Sequence, residues 1–207
     1  MTLLFVGLTS GLASATLSLS LLSGSMLAFL LFMFAPLPIL IASLGWSHRA
    51  GFIGVAVAAS ALLALTGFGP TQSYVLSIGL PAWWLGYLAL LARPEHDETD
   101  APVLWYPVGR LVAWAAALGA APILLTVVLA GSVSEYQATL KGVLEGLLQP
   151  KTGTPNGLPI QLPAGTDIAR FVDLVVLAMP PVSAALSMAN SLFNLWLAAR
   201  IVRASDR

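Results

Sequence analysis

At 207 residues, of which 58% are hydrophobic and 9% charged, the chain has a mean hydropathy of +0.90, outside the usual range of soluble globular domains. Its formal net charge is zero, which argues against nucleic acid and against electrostatic capture of an acidic partner. The absence of cysteine removes disulfides, thiolate metal sites and a cysteine nucleophile together.

A bilayer core of about 30 Å needs about 20 apolar residues per helix, and that ruler divides the chain into about six spans. The expected fold is therefore all-α, a polytopic transmembrane helix bundle forming a single domain over 1–207, with one further helix lying on its outer surface. The first span, 3–22, lacks the basic start of a cleavable signal, although Ala13-Ser14-Ala15 resembles a cleavage site, and it reads as a retained helix. It is rich in hydroxyls: Thr9, Ser10, Ser14, Thr16, Ser18 and Ser20. Gly7, Gly11 and Ala15 fall four apart on one face. Such a face serves either a close contact inside the bundle or the docking of a separate membrane protein.

The second span, 25–44, must bend at Pro36 and Pro38, because each lacks a backbone donor and crowds the preceding turn. After the turn Gly45-Trp46-Ser47-His48-Arg49 a third span, 51–68, ends at the breakers Gly67-Phe68-Gly69-Pro70. The fourth, 73–92, carries Pro81 and the aromatics Trp83, Trp84 and Tyr87, which suit an interfacial belt or a wall for stacking a ligand. Arg93 to Ala101 holds His96 among Glu95, Asp97, Glu98 and Asp100, at no recognised metal-ligand spacing, so a solvated loop is expected, with no metal and no cofactor. In the fifth span, 108–130, Arg110 lies about one turn inside and must snorkel, find a carboxylate or face a polar cavity.

Residues 133–149 change character. Val133, Tyr136, Leu140, Leu144 and Leu147 form an apolar stripe while Glu135, Gln137, Lys141 and Glu145 are polar, the pattern of a helix on the membrane surface. The Pro/Gly-rich stretch 150–165 reads as an irregular outer loop, and Thr166 or Asp167 can cap the helix that follows.

In that last span, 168–203, Asp173, Pro180, Ser187 and Asn194 recur at heptad spacing with Ser183 and Asn190 between them. One face is thus polar and must avoid lipid, while Leu174, Leu177, Leu186, Leu192 and Leu195 are expected to meet it. Pro180-Pro181 should kink the helix beside the polar stripe. Arg170 is the local partner for Asp173, unless that carboxylate faces an outward cavity with Asn190 and Asn194 deeper. Asn190 and Asn194 serve equally as hydrogen-bonding glue between helices.

No phosphate-binding loop, nucleophile elbow or pair of histidines at ligand spacing occurs, so no catalytic residue is assigned and no enzyme is expected. Arg49, Arg93, Arg110, Arg200, Arg203 and Arg207 share the side of both termini, against Lys141, Lys151 and Arg170 opposite. Positive charge favours the cytoplasmic side, which puts both termini inside.

The run Gly11-Leu12-Ala13-Ser14-Ala15, the bend Ala35-Pro36-Leu37-Pro38, Leu80-Pro81-Ala82-Trp83-Trp84-Leu85-Gly86, Trp105-Tyr106-Pro107-Val108-Gly109-Arg110 and the stretch Asn194 to Arg203 together resemble the YybS-like proteins. These are bacterial multi-pass membrane proteins of unassigned function, and the alphaproteobacterial branch is the nearest likeness. Members usually continue beyond the Arg203 region, so the resemblance implies a shortened chain. The family is in turn distantly similar to the S components of energy-coupling-factor transporters, six-helix proteins that capture a small molecule from outside and work with a transmembrane partner. The resemblance implies an inner-membrane protein in contact with lipid that binds a small molecule from outside. The polarity of the spans, and no family motif, places the expected site near Asp173, Asn190, Asn194 and Arg110, with 133–165 as its expected lid. The other expectation is a non-catalytic subunit docking a membrane protein through Gly7, Gly11 and Ala15.

Overall fold

A computed structural model describes residues 2–94, 103–148 and 168–205. The chain divides into two compact parts, one of residues 1–122 with 185–207 and the other of 123–184. Helices α7 (Val108–Ala130) and α9 (Ile168–Ala204) each run from one part into the other. The fold is an all-α bundle whose five longest apolar helical runs, Thr2–Ser23, Met26–Gly45, His48–Thr66, Val108–Ala130 and Ala169–Ala204, are each able to cross a membrane. They fit a membrane-embedded protein.

In the larger part, α1 (Thr2–Leu19) tightens into a 3₁₀ turn at Ser20–Ser23 and stops at Gly24, whose φ of 65° needs no Cβ. Ser25 caps α2 (Met26–Met33), its hydroxyl accepting from the Ala28 N–H at 3.1 Å. Pro36 and Pro38 then separate α2 from α3 (Leu37–Gly45). Ser47 caps α4 (His48–Thr66), and Gly67, at φ 83°, turns the chain into α5 (Phe68–Tyr74).

A π-helical turn, Val75–Gly79, joins α5 to α6 (Leu80–Ala89). Pro81 explains its position: without an N–H it cannot bond back to Ser77, and the widened register re-pairs the chain before the proline. Phe68 to Ala89 is long enough to cross about 30 Å, yet it is not among the five apolar runs. Thr71, Gln72, Ser73, Ser77 and two prolines dilute its hydropathy. Its packing accounts for this, since Tyr74, Ile78, Ala82, Leu85 and Leu88 are buried against other helices and not against lipid.

Glycines set the spacing of the larger part. A Cβ on Gly11 would strike the Gly54 carbonyl oxygen and lie 2.8 Å from Val57 Cβ, and one on Gly7 would lie 2.6 Å from Ile53 Cγ2. Ala15 on the same face is buried. The small-residue face of α1 is therefore filled by α4, an intramolecular contact. Ile39, Leu40, Val55, Ala82, Leu85, Ala115, Leu195 and Ala198 form one core cluster, with Met188 and Leu192 packed on it. Leu195, expected to meet lipid, is only 8% exposed and belongs to this core.

A second unexpected feature is a short antiparallel ribbon of β1 (Ala92–Pro94) and β2 (Val103–Trp105), pairing Ala92 with Trp105 and Pro94 with Val103. Tyr106 N–H extends the pairing to the Leu91 carbonyl at 2.9 Å. The centre of the charged stretch, Glu95 to Ala101, lies outside the described residues.

In the smaller part, Gly131 at φ 89° and a Ser132 cap on the Glu135 N–H start α8 (Val133–Leu148). Tyr136, Leu140 and Leu144 are half-buried, whereas Val133 and Val143 stay exposed. The expected loop at 150–165 and the caps Thr166 and Asp167 lie outside the described residues. Helix α9 continues through Pro180 and Pro181, where Ser183 Oγ donates to the Met179 carbonyl at 2.7 Å. Leu174, Leu177 and Leu186 are exposed, as expected of side chains facing lipid.

Candidate functional site

The break between α2 and α3 leaves carbonyl groups that a continuous helix would have used, and two buried polar groups answer them. Leu37 N–H bonds to the Phe34 carbonyl and not to that of Met33. The Met33 oxygen instead accepts from Asn194 Nδ2 at 2.9 Å. The same amide donates to the Asn190 carbonyl at 2.9 Å and the Asn190 side-chain oxygen at 3.1 Å, and Asn194 is fully buried. One residue pair on α9 thus ties the bend of the second span to the last helix.

Two residues further along the bend, the Ala35 carbonyl accepts from Ser14 Oγ on α1 at 2.7 Å. Ser14 has one proton, and giving it to Ala35 leaves its oxygen to accept from the Tyr74 hydroxyl at 2.6 Å. Tyr74 therefore donates, linking α5 to α1 and to the bend. The three groups are buried together.

Beside Tyr74 the larger part lines a partly open hollow of about 290 Å³. Its walls come from the end of α1 and the 3₁₀ turn, from α2, from the end of α4, and from α5 with the π turn. Leu19, Phe32, Leu62 and Ile78 make it apolar. Ser18, Thr66, Ser73, Tyr74 and Ser77 supply hydroxyls, and Leu21 and Leu22 stand exposed at its edge. The π turn is what brings Ser77 and Ile78 to the wall. A mostly apolar hollow with a few polar groups is the usual form of a small-molecule site, here at the small end of the ordinary range of about 300–1,000 Å³.

None of Asp173, Asn190, Asn194 and Arg110 lines this cavity. Asn190 and Asn194 are brought together, but as structural glue at the helix break. Arg110 is exposed in the first turn of α7. Asp173 is an exposed residue of the smaller part, paired at 2.6 Å with Lys141 of α8, and the pair edges a surface groove with Gln137 and Val176. The heptad stripe fails to give one environment because a straight helix drifts by about 20° per heptad, or about 60° over the three heptads from Asp173 to Asn194.

The aromatics of the fourth span form a cluster at the other end of α6. Trp83 Nε1 donates to the His48 carbonyl at 3.0 Å, Trp84 meets Trp114 of α7 edge-on at 5.5 Å, and His48 meets Tyr87 at 5.3 Å. Ring-on-ring packing there, with Trp114 Nε1 donating to the Tyr106 hydroxyl at 3.2 Å, suits an interfacial belt.

The cavity residues Tyr74, Ser73 and Ser77 were not expected from the sequence. A signal existed: Ser10, Ser14 and Ser18 stand four apart on α1, as Ser73 and Ser77 do on the fourth span, so two hydroxyl-bearing faces awaited each other. Comparisons with known protein families, with curated proteins and with solved structures each returned no match.

Proposed function

We propose that this membrane-embedded chain is a non-catalytic binding protein, similar to the YybS-like proteins and to transporter S components, that holds a small molecule in the cavity beside Tyr74. The observation that carries this reading is the 290 Å³ hollow itself, apolar, hydroxyl-bearing and walled by four helical elements of one compact part. Ser18 and Leu19 at the end of α1, Leu62 and Thr66 at the end of α4 and Pro70 near the start of α5 line it, so the hollow lies toward the end of α1 that is away from the N-terminus. With arginine concentrated on the side of the termini, that end faces outward from a bacterial inner membrane. At the opposite end Arg200 lies 5.6 Å over the Trp196 ring, an arrangement suited to a snorkelling cation at the interface.

Filling the hollow should abolish binding without unfolding the protein. Native mass spectrometry of the protein released gently from its membrane is expected to show a retained compound of small mass, lost in Ser77→Phe and kept in Asp173→Ala. Retention in Ser77→Phe would exclude the cavity as the site. Orientation is checked separately, because the chain has no cysteine and accepts single reporters. Ser23→Cys should react with a membrane-impermeant maleimide in intact cells, and Ser205→Cys only after lysis; the reverse pattern would turn the cavity inward.

A further inference from the structure

The cavity's polar groups say which chemistry it accepts, and this step rests on the binding reading above. No residue lining it carries a charge. Three of its five hydroxyls are already committed as donors: Ser18 Oγ to the Ser14 carbonyl at 2.9 Å, Thr66 Oγ1 to the Leu62 carbonyl at 2.8 Å, and Tyr74 to Ser14 Oγ at 2.6 Å. The assignment for Tyr74 follows from Ser14 having given its only proton to Ala35. Among the described residues, Ser73 and Ser77 are the lining hydroxyls with no side-chain hydrogen bond, and they stand one turn apart on the run from α5 into the π turn.

We infer that the cavity selects a neutral, mainly apolar molecule bearing one hydrogen-bonding group, a hydroxyl or an amide, which Ser73 and Ser77 meet, and that it rejects carboxylates and phosphates. A hydroxyl or amide both gives and takes a hydrogen bond, as serine does, so one serine of the pair donates to it and the other accepts from it. A carboxylate offers only acceptors and a full charge. Two serine protons and no cation leave that charge uncompensated in apolar surroundings, which costs more than the contacts return.

The test uses the full chain in lipid nanodiscs with octan-1-ol and octanoate, which share an apolar tail and differ in the head group. Specific binding is read by equilibrium dialysis as the difference from Ser77→Phe. Octan-1-ol should bind at least about tenfold more tightly than octanoate, the step that one lost charged or unpaired contact produces. Ser73→Ala with Ser77→Ala should weaken octan-1-ol about five- to tenfold, and Ser77→Arg should reverse the preference toward octanoate. Octanoate binding as tightly as octan-1-ol to the unaltered chain would overturn the neutral selectivity while leaving the cavity as a binding site. No specific binding of either probe would overturn the cavity reading itself. Ser77→Arg also separates the two, because octanoate gained only there shows an accessible cavity whose natural lining lacks an anion partner.

Discussion

Gly11→Ala is expected to cost about 3 kcal/mol or more of stability, although it adds a single methyl group. The added Cβ would meet the Gly54 carbonyl oxygen and the Val57 side chain, where α1 and α4 run closest. A side chain in the way can change rotamer, but a backbone oxygen moves only if α4 moves. Inside a membrane that matters more, since lipid is as apolar as the helix faces and close packing is what holds helices together. Two other glycines calibrate the claim. Gly24→Ala meets nothing within 4 Å but must hold φ at 65°, for about 1–2 kcal/mol. Gly69→Ala meets nothing and has no such φ, so it should be neutral or slightly stabilising. Thermal unfolding in mild detergent should rank the variants in that order. A Gly11→Ala protein as stable as the unaltered one would mean that α1 and α4 do not pack through this face.

The helices were legible because lipid imposes a length and a composition on each of them. Apolar runs ending at Gly45-Trp46-Ser47 and at Gly67 are helices ending there, since few other backbones satisfy their polar groups in a bilayer. Side-chain environment was less legible. Ser14 and Tyr74 lie sixty residues apart, and a hydrogen bond across that distance leaves no periodic trace. Leu195 and Asn194 are neighbours about 100° apart around the helix and both are buried, so the packed face of α9 is wider than the polar stripe alone and takes in a leucine expected to meet lipid. The ribbon at β1 and β2 was hidden because three paired residues are too few to show a period of two.

Asn194 is the other residue where a small change should have a large effect. Its amide nitrogen faces three oxygens, from the Met33 and Asn190 carbonyls and the Asn190 side chain, in a position with no exposure at all. Asn194→Leu keeps the number and branching of the side-chain atoms and removes the donors, so it leaves the Met33 carbonyl unanswered, for about 1–2 kcal/mol. Asn194→Asp keeps both shape and volume, yet it replaces two protons by a carboxylate aimed at those same oxygens, for about 3–5 kcal/mol. The more conservative change on paper is thus expected to be the more damaging. Unfolding of both variants under identical detergent conditions measures the difference, and equal losses would mean that the oxygens of the α2–α3 break do not converge on residue 194. If the order holds, the last helix owes its position to a proline-made gap in the second span. Any ligand that pulls on Tyr74, and through Ser14 on Ala35, then acts on the opposite side of the same gap.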